Sequence, residues 1–266
     1  MKKNWFILFL VLLVILLAGS QALFAAAPVV LKVGASPTPH AEILSQIKPL
    51  LAKEGIDLQI IEFQDYVQPN LALAEGELDA NFFQHVPYLN EFSKDHKLDL
   101  TYIAKVHIEP MGIYSNKIKA LKELNNKAIV AIPNDPTNGG RALLLLQSAK
   151  LITLRKDAGL SATELDIVKN PKELQVKPLE AAELPRTLAD VDIAVINTNY
   201  ALSANLVPSR DALFIENSNS PYANILAVRT KDKNKPALKK LAKALNSKTV
   251  KDFILTKYKG SIVPAF

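Results

Sequence analysis

The chain has 266 residues, of which 49% are apolar, 22% charged and 7% aromatic, and its formal net charge is +6. These proportions lie near the globular average and exclude a disordered chain or a multi-span membrane protein. The absence of cysteine removes disulfide frameworks, cysteine zinc sites and thiol nucleophiles at once.

At the amino terminus Lys2-Lys3 precede an unbroken apolar run from Phe6 to Ala18, and small residues follow at 25–27. The run is shorter than the ~20 residues that span a bilayer. Residues 1–27 therefore read as an export signal peptide cleaved near Ala25–Ala26, with an uncleaved signal anchor as the alternative. The expected location is the periplasm or cell envelope. Leu17-Ala18-Gly19-Ser20 has the shape of a lipoprotein box, but Ser20 stands where the lipidated cysteine belongs. A hydroxyl cannot replace the thiolate nucleophile of that modification, which puts a lipid anchor in doubt.

From residue 28 onward strand and helix patterns alternate, which predicts an α/β fold. Strands are expected at 30–35, 56–63, 78–83 and 100–106, with helices at 41–52, 69–75 and 87–94. An extended crossing at 110–114 then leads to a second series. It contains a strand at 128–132, an all-round apolar helix at 141–150, a strand at 174–178, a short helix at 184–188 and a strand at 192–196. A return crossing at 224–229 and an amphipathic helix at 236–245 complete the pattern. The two series match in detail. Pro69 and Pro185 each open a helix, Asp79 and Asp192 each enter a strand, and Gln84 and Asn197 each stand five residues after their Asp. Two like lobes facing one another across a cleft are expected: lobe 1 from 28–112 and 225–266, lobe 2 from 113–224.

The polar and aromatic residues near strand ends are the candidate site. NFFQHVPYL (81–89) brings Phe83, His85 and Tyr88 together, and Tyr66 lies in an equally polar loop. Aromatic walls with a few polar tips suit a small-ligand pocket. Arg141 follows Thr137-Asn138-Gly139-Gly140 and, with the helix expected to start there, falls in a first turn, where a cation opposes the helix dipole unless a bound carboxylate offsets it. Asn197 and Asn224 each offer a donor and an acceptor, as a zwitterion requires. His107 beside Glu109 is the only acid–base neighbour. The four histidines, His40, His85, His96 and His107, show no metal-ligand spacing, so neither metal nor cofactor is expected. No basic stripe with interleaved aromatics marks a nucleic-acid partner.

DYVQPN (65–70), DANFFQHVPYL (79–89), HIEPMGIYS (107–115), PNDPTNGGRALLLLQ (133–147), AVINTNYA (194–201) and SPYANILAV (220–228) resemble the methionine-binding lipoprotein family of MetQ/NlpA type. Its members are substrate-binding components of bacterial methionine ABC importers. The resemblance implies a two-lobed periplasmic-binding-protein fold, no catalysis, L-methionine as ligand, and an inner-membrane permease and ATPase as partners. It places Tyr66, Phe83, His85 and Tyr88 around the ligand side chain. Arg141 falls on its carboxylate and Asn197 and Asn224 on its head group, while His107 and Glu109 fall in a variable segment. Two other readings compete: the same fold binding another small amino acid or a methionine-containing dipeptide, and a periplasmic enzyme with His85 or His107 as general base. Ser20 yields a direct test: labelled fatty acid is expected not to enter the protein, and Ser20→Cys is expected to restore acylation. Acylation of the unsubstituted chain would contradict this.

Overall fold

The structure is a computed structural model that describes residues 27–217 and 221–266; the export signal and Ser20 lie outside these residues. Short 3-10 and π turns aside, the chain opens with β1 (Val29–Ala35), α1 (Glu42–Ala52), β2 (Ile56–Glu62), α2 (Gln68–Glu75), β3 (Ala80–His85), α3 (Val86–His96) and β4 (Leu100–Ile108). It then crosses into β5 (Gly112–Tyr114), β6 (Ile129–Pro133), α4 (Pro136–Ser148), β7 (Thr153–Leu154), β8 (Ile167–Lys169) and β9 (Gln175–Leu179). The same half continues with α5 (Leu184–Thr187), β10 (Ile193–Ile196), α6 (Thr198–Ser203), α7 (Pro208–Asp211) and β11 (Phe214–Ile215). A second crossing returns through β12 (Ala223–Arg229), α8 (Pro236–Leu245), α9 (Lys248–Tyr258) and β13 (Val263–Pro264).

Two main sheets result, one in the order β13-β4-β12-β3-β1-β2 and one in the order β11-β5-β10-β6-β9, beside a small two-stranded sheet of β7 and β8. Strands β2-β1-β3-β12-β4 correspond to β9-β6-β10-β5-β11. In each set three parallel strands are followed by an antiparallel fourth, and the fifth pairs antiparallel with that fourth. The fourth strand of each set, β12 or β5, follows directly on a crossing, so the chain enters both sheets at the same topological place. The correspondence extends to single side chains. Asp79 accepts a hydrogen bond from Lys32 N at 2.9 Å, and its own N donates to Lys32 O at 2.8 Å. Asp192 repeats the device, accepting from Ile129 N at 2.7 Å and donating to Ile129 O at 3.0 Å. Each carboxylate thereby ties the entry of one strand to its parallel neighbour.

Each sheet has its own apolar core. In the first, Val33, Phe82, Val106 and Val228 pack under Ile43, Leu44, Ile47, Leu241 and Ile254 from the helices. In the second, Val130, Ile132, Ile193 and Val195 pack against Leu143, Leu145 and Leu146 of α4. A third cluster joins the halves and is mainly aromatic on the first side, with Tyr66, Phe83, Tyr88 and Phe92 against Tyr114, Ile196 and Tyr200.

The helix expected over 141–150 instead begins at Pro136, with Asp135 as its N-cap accepting from Asn138 N. Asp at the cap and Pro in the first turn are strong start signals, and Gly139-Gly140 obscured them. Arg141 consequently lies in the second turn, and the argument from a cation in the first turn does not hold. Helix α9, which the periodicity reading passed over, starts at the N-cap Ser247 and buries Val250, Ile254 and Tyr258. Gly112 already pairs in the second sheet, and Ala223 and Asn224 already pair in the first.

Gly140 explains the second glycine of the pair. A Cβ there would stand 2.3 Å from Leu160 O and 2.8 Å from Ala162 N, so the helix packs directly on the backbone of that segment. Gly140→Ala is expected to destabilise the fold by about 1–3 kcal/mol through overpacking. Urea unfolding measures this, and an unchanged midpoint would show that the segment yields freely.

Candidate functional site

Between the sheets lies a small, partly open cavity. Tyr66, Phe83, Gln84, His85, Tyr88 and Asn224 line it from the first lobe, Asn138, Arg141, Asn197, Thr198 and Asn199 from the second, and Glu109 from the first crossing.

The first-lobe wall is built by the end of β3 and the start of α3. His85 is the N-cap of α3, and its Nδ1 accepts from Tyr88 N at 3.1 Å. The ring proton therefore sits on Nε2, which donates to Asn138 Oδ1 at 3.1 Å across the cleft. Tyr66 forms ring contacts with Phe83 at 5.9 Å, Tyr88 at 5.8 Å and Tyr200 at 4.9 Å. The polar residues of the same stretch are satisfied among themselves. Asn70 and Gln84 exchange two amide hydrogen bonds, and both contact Asn81.

Further hydrogen bonds hold the cleft shut. Tyr66 OH donates to Asn199 Oδ1 at 2.6 Å, and Tyr200 OH donates to Gln64 O at 3.1 Å. In the second lobe Asn138 is fully used: Nδ2 donates to Asp135, and Oδ1 accepts from His85 and from Asn197 Nδ2 at 2.8 Å. Asn197 Oδ1 is buried with no partner among the described residues. It is a buried acceptor in a residue that lines the cavity, and such a group is costly unless something donates to it.

Arg141 is 3% exposed. Its Nε and Nη2 donate to the Glu216 carboxylate at 3.1 and 2.5 Å, and Nη2 also donates to Glu109 O at 2.7 Å. Beside it, two histidines distant in sequence converge on Glu109. His107 Nε2 donates to Oε1 at 2.7 Å, and His40 Nε2 lies 3.2 Å from the same oxygen and 3.1 Å from Asn224 Oδ1. Ser36 Oγ lies 2.8 Å from His40 Nδ1. The ligand-type atoms of His40, His107 and Glu109 lie within 4.8 Å of one another, a convergence that spacing along the chain did not reveal. Hydrogen bonds alone account for their arrangement. His107 lies behind Glu109 and does not line the cavity.

Burial sets the ionisation of this region. It lowers His40 from the ordinary 6.5 to about 4, with Glu109 partly opposing, and lowers His107 to about 3. His85 also falls to about 3, first through burial and then through the charge of Arg141. Burial raises the carboxyl of Glu109.

A family profile described as NlpA lipoprotein matches residues 31–266. The chain belongs to the NlpA lipoprotein family. Curated relatives include the probable D-methionine-binding lipoprotein MetQ of Vibrio cholerae, 44% identical over 221 residues that cover 82% of each chain. The D-methionine-binding lipoprotein MetQ of Salmonella typhimurium is 44% identical over 224 residues, 83% of each chain. Among solved structures, a nutrient-binding protein from Burkholderia cenocepacia bound to methionine is 50% identical. It superposes with a TM-score of 0.86 over 89% of this chain and 100% of that one. The crystal structure of the methionine-binding protein MetQ gives a TM-score of 0.87 at 40% identity, covering 89% and 98%. The two-lobed substrate-binding architecture of this family is thus the fold of the chain.

Glu216, Asn138, Thr198 and Asn199 were not singled out from the sequence. PNDPTN and INTNYA contain three of them, but nothing local distinguishes a lining Asn from a turn Asn. Glu216 offers no motif at all.

The buried histidines predict a pH dependence. Unfolded, each takes a proton near 6.5; folded, each resists until about 3–4. The unfolded chain thus binds more protons as pH falls below 6.5, and stability drops with it. The raised carboxyl of Glu109 works in the opposite sense and offsets part of the loss. Urea midpoints are expected to fall from pH 7 to pH 5. A constant midpoint would mean that these rings are solvated or charged in the folded protein.

Proposed function

We propose that the protein is the methionine-binding component of an ABC importer of the cell envelope. It takes up the amino acid between two lobes hinged at the crossings and delivers it to an inner-membrane permease and its ATPase. The reading rests above all on one observation: a pocket between the lobes sets an acceptor that is unpartnered among the described residues and a buried guanidinium on one side and an aromatic wall on the other. A zwitterion with an apolar, polarizable side chain fits that pattern.

Residue roles follow from the unspent hydrogen-bonding capacity. Arg141 has Nη1 left for a carboxylate. Asn224, whose Oδ1 is taken by His40, has its Nδ2 donor left. Asn197 Oδ1 is left for the ammonium, with the Glu109 carboxylate beside it. Tyr66, Phe83 and Tyr88 surround the thioether, whose sulfur–aromatic contacts contribute about 0.3–1.5 kcal/mol each. The names of the relatives and the methionine in the Burkholderia cenocepacia structure support this choice over another small amino acid or a dipeptide. Export through residues 1–27 would place the protein where such importers collect their substrate. Among the described residues no helix is long and apolar enough to cross a membrane.

An enzymatic reading fares worse. A general base works best with a pKa near the operating pH, whereas His85 and His107 are both held near 3. His85 moreover uses both ring nitrogens structurally.

Mass spectrometry of the purified protein is expected to recover methionine. In competition, norleucine should bind on the order of 1 kcal/mol more weakly, for want of the sulfur contacts, and alanine should bind worst. Alanine or an acidic amino acid ranking first would overturn the assignment.

A further inference from the structure

Both crossings meet at Arg141. Its Nη2 holds Glu109 O of the first crossing at 2.7 Å, and its Nε and Nη2 hold Glu216 at the start of the second. The guanidinium carbon lies 4.2 Å from the centre of the Tyr222 ring, near the end of the same crossing. Glu216 in turn stitches the two segments together: its N donates to Met111 O at 2.8 Å, and Met111 N donates to its Oε2 at 3.3 Å. Every hydrogen bond that Arg141 makes among the described residues uses Nε or Nη2. The remaining nitrogen, Nη1, belongs to a side chain that lines the interlobe cavity.

The same guanidinium has somewhere else to go. Behind it, Arg141, Glu216, Tyr222, Leu160 and Phe214 line a groove that opens to solvent. An arginine side chain carries large rotamer freedom, and a charged head released from its partner moves toward water. What keeps the fork against the cavity is the two-point grip of one carboxylate, whose side chain is 14% exposed.

We infer that Glu216 is a positioning residue for ligand recognition: it fixes the Arg141 fork across both crossings so that Nη1 is presented to the carboxylate of the bound amino acid. The inference rests on Arg141 as the receptor of that carboxylate. It gives the second crossing a role in affinity without contact with the ligand. The Glu216 carboxylate grips the Nε–Nη2 edge and Glu109 O takes the other Nη2 hydrogen, which leaves Nη1, and so one orientation, for a second carboxylate.

The test compares methionine with methioninol, which lacks the carboxylate, by calorimetry on the wild type and on Glu216→Gln, Glu216→Asp and Arg141→Ala. Glu216→Gln is expected to weaken methionine at least tenfold and to change methioninol less than twofold, with Glu216→Asp recovering part of the loss. In an Arg141→Ala background, adding Glu216→Gln is expected to have no further effect. Methionine binding within threefold of wild type, or tighter, in Glu216→Gln overturns the proposal. So does an equal loss for both ligands, which would mark a purely structural contact. A wild type that binds no methionine, or an Arg141→Ala variant that binds it unimpaired, overturns the reading of the site itself. Should Glu216→Gln fail to fold, Tyr222→Leu loosens the same fork and is expected to show a smaller loss confined to methionine; a loss shared by methioninol overturns the proposal there as well.

Discussion

A guanidinium taken out of water must find partners for its charge and its donors, and removing one partner of a buried pair costs about 3–5 kcal/mol. In this protein that requirement falls on Arg141, 3% exposed, at the point where the chain passes from one sheet to the other and back. Its partners are a backbone carbonyl from one crossing and a carboxylate from the other. Satisfying one side chain therefore brings together helix α4, both connecting segments and the cavity lining. The crossings and the cavity share a residue.

The surrounding polar groups obey the same rule by neutrality and not by pairing of charge. His85 and His40 each spend one ring nitrogen as acceptor and one as donor, which fixes the tautomer and leaves no reason to protonate. His40 takes Ser36 on one side and Asn224 on the other; His85 takes the backbone of Tyr88 and the amide of Asn138. Glu109 accepts from the neutral ring of His107, with His40 Nε2 3.2 Å away, so that its carboxylate is oriented by neutral rings. Asn138 and the Asn70–Asn81–Gln84 set are closed networks of the same kind, and a closed network in a dry interior is rigid. Among the described residues Asn197 Oδ1, like His107 Nδ1, falls outside these networks as a buried atom without a partner, and of the two only Asn197 lines the cavity.

The two lobes are built alike. The paired carboxylate devices of Asp79 and Asp192 and the matching strand orders place the carboxyl ends of β3 and β10 toward one another. Each strand hands the chain to a helix or turn that carries lining residues, β3 to His85 and Tyr88, β10 to Asn197 and Asn199. Open α/β sheets place ligands at the carboxyl ends of strands; here two such ends supply opposite walls.

The sequence by itself determined the alternation of strand and helix, the two-series order and the aromatic–amide stretches that line the cavity, because these depend on periodicity and on residues close along the chain. Tyr66, Phe83, His85, Tyr88, Arg141, Asn197 and Asn224 all line the cavity, and each lies in a stretch whose composition is odd for a plain core or loop. The start of α4 was also written locally, in Asp135 and Pro136, although two glycines masked it. Only tertiary structure decided what these residues do to one another. His40, His107 and Glu109 converge from two segments, and Glu216 reaches Arg141 across 75 residues. Hydrogen bonds of that span depend on how the lobes are joined, and no short-range pattern encodes the place where two distant crossings meet.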